Sequence, residues 1–236
     1  MTAAAVYYVF RCLMPPQTPA CAGIFRPIEI SAPPGSLLNA QRPAAVAAGN
    51  VETSTRVVDV VMGALARAIP ERIPAASHGS MNNIALGSDH GSAWDYYETI
   101  GGGMGAGAAQ HGLSAVQTHM TNTLNTPVEV IESLFPLQVT RYAIRRGSGG
   151  GGAHRGGDGL VRGWKFLDAA QLTLLTERRR HAPWGLAGGE AGAPGRNLLN
   201  GGELPPKCHL HVAAGDELVI ETPGGGGYGK APQHEK

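Results

Sequence analysis

Apolar positions recur at helical spacing in two early stretches. Residues 3–14 are helix-compatible and end at Pro15-Pro16. In "NVETSTRVVDVVMGALARAIP", Val57, Val61, Leu65 and Ile69 recur every fourth residue, with Val58 and Met62 alongside. This is the apolar stripe of a long amphipathic helix that Pro70 ends. Asn50 or Thr53 is placed to cap it, and Glu52 lies near the positive end of its dipole. Strand-type runs are "FRPIEISAP" (25–33) and "AWDYYETI" (93–100). From Leu134 the pattern is mostly β: 137–145, 159–167, 170–179, 208–213 and 217–223. "AAGDE" reads as a hairpin turn between the last two. The expected fold is α+β. A mixed α/β portion (1–133) carries the long helix, and a β-rich portion (134–236) of the same domain follows.

Composition narrows the function classes. The chain has 236 residues, a net charge of +1, 35 glycines and 17 prolines. The charge excludes an electrostatic footprint for nucleic acid or an anionic membrane. Arg145-Arg146 and Arg178-Arg179-Arg180 are short clusters without interleaved stacking aromatics. No apolar run reaches the length of a membrane span, and the N-terminus lacks the basic region of a targeting segment. Three cysteines at irregular spacing point to a reducing, cytoplasmic compartment.

The glycine-rich runs invite a phosphate-loop reading. "GGGMGAG" and "GSGGGGAHRGG" lack the Lys-Ser/Thr of a Walker loop. "GGGGYG" matches GxGxxG but leaves too few residues for a crossover unit. No HExxH or GxSxG occurs. "HLH" (209–211) sets two imidazoles on one side of a strand, more often a solvent-facing pair than a metal site. "SDHG" (88–91) reads as turn chemistry.

"THMTNTLNTPVEVIE" (118–132) is denser in chemistry. Thr126, Pro127 and Glu129 form the pattern of a capped helix start with a capping box. His119 and Asn122 either line a polar pocket or fix backbone turns.

Four stretches, "HMTNTLNTPVEVIE", "RYAIRRGSGGGGAHRGGDGLVR", "ERRRHAPWGLAGGEAG" and "TPGGGGYG", resemble successive signatures of the hydantoinase B/5-oxoprolinase family. So do "GIFRPIEISAPPGSLLNAQRPAAVAAGNVETSTRVVDVVMGALA" and "AASHGSMNNIALG". The similarity is collinear over residues 5–229. It implies ATP-coupled opening of a hydantoin or 5-oxoproline ring. ATP is expected on an A-type partner subunit or domain, in a hetero-oligomer. The family runs to about twice this length, and the similarity covers its C-terminal half. Any divalent-metal ligands are expected outside this chain. The alternatives are a non-catalytic truncated fragment or assembly subunit, and part of an acetone-carboxylase-type large subunit.

Within that resemblance, His119 is the candidate general base, since imidazole titrates near neutrality. Glu129 is a candidate cap or orienting carboxylate. Asn82, Asn83, Asn122 and Asn125 are candidates to hydrogen-bond a ring amide. Arg155 is a candidate for a carboxylate or phosphate, with His78 a secondary candidate. The glycine-rich run around 147–159 is expected to be a fixed structural feature, where glycine answers a steric or positive-φ requirement.

Overall fold

The computed structural model describes residues 1–88, 91 and 93–231. Part of "SDHG" and His234 lie outside the described residues. The fold is α+β, with three short α-helices and two antiparallel sheets among the described residues.

The first sheet has the order β2 (Asp95–Glu98), β1 (Asn83–Ser88), β5 (Ala170–Leu175) and β8 (Lys207–Val212). The second runs β3 (Leu137–Arg145), β4 (Gly159–Phe166), β9 (Glu217–Glu221), β6 (Arg196–Leu199) and β7 (Gly202–Glu203). Alternate residues of both sheets meet in one core. Ile84, Leu86, Leu172 and Leu174 come from one side, and Trp164, Phe166, Leu218 and Ile220 from the other. Arg162 shares the inward face of β4 and is fully buried. Its Nη2 reaches Glu98 Oε1 of β2 at 3.1 Å, and its guanidinium lies 4.1 Å from the Tyr142 ring centroid. The two sheets are thus joined by an ion pair as well as by apolar packing.

The strand runs at 137–145, 159–167 and 170–179 appear as β3, β4 and β5. The last pair of runs, 208–213 and 217–223, forms β8 and β9, but not a hairpin. The "AAGDE" turn passes the chain from one sheet to the other. The hairpin in this region is β6–β7, turned by Asn200 and Gly201 at positive φ. Residues 25–33 form no strand. A 3-10 turn covers Ala22–Phe25 and irregular chain follows, where Pro27 and Pro33 have no N–H to give a ladder.

α1 (Thr2–Leu13) packs against α2 (Ser54–Leu65) in a second, smaller core. α2 has only 12 residues, because Gly49–Thr53 forms a π-type turn ahead of it. The long helix is therefore corrected to a shorter one. Neither Asn50 nor Thr53 caps it, since Thr53 already has helical angles and no side-chain cap bond forms. α3 (Val128–Leu134) starts after Pro127, which is extended at φ −55° and ψ 143°. The expected Thr126 cap is absent, and the Thr126 carbonyl instead accepts a long bond from Arg162 at 3.5 Å.

The glycine-rich segments form a further layer of their own. Chain around 75–79, 101–107, 111–116, 147–158, 183–193 and 223–229 lies outside the sheets, cross-linked by backbone hydrogen bonds. Gly150 N–H donates to the Gly225 carbonyl, Gly225 to Gly157, and Gly157 to Met104, at 2.8–2.9 Å. Gly226 donates to Ala76 and Ala106 donates to Gly226. A Cβ on Gly103, Gly157, Gly225 or Gly226 would lie closer than 3.0 Å to a neighbouring segment's backbone. These four glycines are not in the left-handed region, so the requirement is close approach and not φ.

Candidate functional site

Two clefts flank α2. The first has a volume of about 340 Å³ and is walled by α1, α2 and the glycine layer. α1 contributes Tyr8 and Cys12, four residues apart and so on one helical face. α2 contributes Met62, and the layer contributes Ser77, Met104, Gln117 and His119. His119 has φ 57°, a backbone conformation that non-glycine residues adopt at a cost. Its Nδ1 lies 3.5 Å from the Tyr8 hydroxyl, and the two rings meet edge to face.

Electrostatics at this cleft favour neutral groups. Loss of hydration holds the His119 imidazole below its usual range, partly offset by Asp59. Burial, reinforced by the neighbouring Cys12 thiol, keeps the Tyr8 phenol well above its usual range. His119 is therefore a neutral base and Tyr8 a neutral hydroxyl at physiological pH. His78 is fully buried, and neither ring nitrogen has a hydrogen-bond partner among the described residues. Burial, helped by the nearby His119, pushes it down to about 3. A Cβ on Gly102 would strike the His78 side chain, so the glycine layer makes room for this ring.

The second cleft, of about 600 Å³, lies between α2 and the turn after β5. Asp59 is nearly buried and binds two guanidinium groups through Oδ2, Arg56 and Arg178 each at 2.6 Å. Arg178 stacks over Trp184 at 4.6 Å. Asp59 and Arg56 also act electrostatically on His119, in opposite directions.

The sequence candidates fall in separate places. Asn82 and Asn83, just before and at the start of β1, are buried. Asn82 Oδ1 accepts from Arg179 Nη1 at 2.6 Å. Asn83 donates to Glu52 Oε1 at 2.9 Å and to the Leu175 carbonyl, and accepts from Tyr97. Asn125 donates to Glu98 at 2.8 Å and to the Thr99 carbonyl, and accepts from Tyr142. Asn122 is exposed, as is Glu129 in the first turn of α3. Arg155 is half-exposed, pairs with Asp158 at 3.0 Å and edges a small cleft beside His111. Of these residues, only His119 lines the Tyr8 cleft. Tyr8 is not legible as a site residue, since nothing in a helix at the N-terminus signals contact with a residue 111 positions away. Among the described residues, no group of three or more His, Cys, Asp or Glu is placed to hold a metal ion. His209 and His211 lie on the exposed face of β8, as a solvent-facing pair does.

Residues 1–231 match the hydantoinase B/oxoprolinase family model. The chain belongs to this family. It is 46% identical to 5-oxoprolinase 1 of Arabidopsis thaliana over 97% of this chain and 18% of that protein. It is 32% identical to the B-type component of a putative D-/L-hydantoinase of a Pseudomonas species, over 98% of this chain and 41% of that protein. Its structure resembles the ATP-dependent caprolactamase of Pseudomonas jessenii, with a TM-score of 0.81 and 25% identity, over 97% of this chain and 43% of that one. The chain thus spans less than half the length of these relatives. No helix among the described residues is long and apolar enough to cross a membrane.

Proposed function

We propose that this chain is a component of an ATP-dependent hydrolase that opens a small cyclic amide. Family membership supports the reaction class, as does the likeness to a caprolactamase. The single observation that carries the site is a neutral His119 beside the Tyr8 hydroxyl in a cleft large enough for a small ring.

A lactam carbonyl resists water, so ATP first activates it. An A-type partner transfers the γ-phosphoryl group to the amide oxygen. Water then adds to the ring carbon, with His119 taking its proton. The adduct expels the ring nitrogen as an amine, using a returned proton, and leaves an acyl phosphate. A second water releases phosphate and the carboxylate. Overall, ring amide, ATP and two waters give the open amino acid, ADP and phosphate. Tyr8 donates to developing negative charge on oxygen. Asn82, Asn83 and Asn125 stay candidates to hydrogen-bond the ring amide, away from the His119 cleft. Arg155 meets a carboxylate or phosphate at the surface, and Glu129 stands exposed in the first turn of α3.

The test is turnover in the complete complex with the A-type partner. Ring opening of 5-oxoproline or hydantoin should require ATP, and His119→Ala should lower kcat about 10²–10⁴-fold. Ring opening by this chain without ATP would refute the proposal.

A further inference from the structure

The cleft on the other face of α2 has no role in the reaction above. Five cationic side chains and two carboxylates line it. Both carboxylates are committed: Asp59 to Arg56 and Arg178, and Glu177 to Lys207. Arg180, exposed at the rim, has no ion-pair partner among the described residues. Arg179 is bonded inward to Asn82 and Asn197, so the uncompensated charge at the cleft is that of Arg180, with Arg56, Arg178 and Lys207 held beside it by their carboxylates. Apolar surface lies beside these charges. Trp184 lies under the Arg178 guanidinium, and Val60 exposes 71% of its surface on α2. The volume of about 600 Å³ far exceeds the needs of an inorganic anion.

We propose that this cleft binds a phosphate-bearing small organic molecule. Its phosphoryl group would meet Arg56, Arg180 and Lys207, and its carbon skeleton would lie against Trp184 and Val60. Guanidinium forks match phosphate oxygens in pairs, and several converging cations suit a dianion better than a carboxylate. Asp59 keeps Arg56 and Arg178 in place before any ligand arrives, which lowers the ordering cost of binding. The inference goes beyond the hydrolase reading and stands without it, because its readout is binding and not turnover.

The test is calorimetric titration of the complete protein with phenyl phosphate, benzoate and hexaglutamate. Phenyl phosphate should saturate one site, more weakly as salt rises. Arg180→Gln should weaken it about tenfold, the scale of one lost charge-assisted hydrogen bond. Glu177→Gln should tighten it, because Lys207 is freed, and a misfolded variant cannot mimic a gain. Absence of saturable binding, or binding unchanged in both variants, would overturn the proposal. Equal affinity for benzoate would overturn the phosphate class. Binding of hexaglutamate alone would reassign the cleft to an acidic macromolecule.

Discussion

The two sheets and the glycine layer solve the same packing problem in opposite ways. Between the sheets, large side chains fill the space, with Trp164, Phe166 and Ile84 essentially inaccessible. In the glycine layer, backbones approach so closely that there is no room for a Cβ. The first core draws on apolar burial. The second depends on satisfied backbone hydrogen bonds between segments far apart in sequence. A side-chain core tolerates loss badly but can relax around a change. A backbone-packed layer has no flexible side chain to give way, so a single added methyl must move whole segments. That layer also holds two imidazoles: His78 lies within it and His119 beside it.

The largest effects should expose this contrast. Trp164→Ala should cost about 3–5 kcal/mol in a denaturant melt. Gly103→Ala adds only one methyl, yet should cost more than about 3 kcal/mol, because that methyl meets Gly157 and Gly225 backbone. A Gly103→Ala variant as stable as the parent would break the comparison. Next comes the polar link between the sheets. Glu98→Ala should cost about 3–5 kcal/mol by leaving Arg162 buried without its carboxylate.

A smaller, pH-dependent effect separates the buried acid from the buried base. Burial raises Glu52 to about 7 despite bonds from Met81 and Ser80. Between about 4.5 and 7 the folded state then holds a proton that the unfolded state has released, so stability falls as pH rises through that window. The loss approaches about 3 kcal/mol. His78, at about 3, has the opposite sign: the unfolded state holds the extra proton, and stability rises with pH until about 6.5. Glu52→Gln should therefore gain stability relative to the parent as pH goes from 5 to 7. A difference that does not change with pH would show that Glu52 is not held protonated. The smallest effect is the control. Gly107 is not in the left-handed region, and a Cβ there would meet only Gln110 Cγ at 3.6 Å. Gly107→Ala should stay within about 0.5 kcal/mol of the parent.

The sequence pattern reveals strands more readily than their partners. β3, β4 and β9 stand out because alternation marks a half-buried strand, as in "ELVIE". Alternation says nothing of which sheet a strand joins, so β8 and β9 read as a hairpin when they belong to different sheets. The true hairpin is turned by Asn200-Gly201, a dipeptide whose strands are too short to stand out as alternating runs. The glycine layer is illegible for a physical reason. Glycines such as Gly103, Gly157, Gly225 and Gly226 answer to a distant backbone, not to their own φ or their neighbours. The site is half legible: His119 stands out in a polar segment, but Tyr8 and the Asp59 node come from helices that look purely structural. Arg178 and Arg180 read only as a charge run without stacking partners, yet Trp184, a few residues on, stacks on Arg178.

The most direct test of the account is the pH profile of kcat/KM for ATP-coupled ring opening in the complete complex. The parent should lose activity on an acid limb that lies below the usual imidazole range, where a desolvated His119 takes up its proton. His119→Gln should abolish that limb along with most of the rate. An unchanged profile and rate in His119→Gln would contradict the claim that this cleft is the site of chemistry.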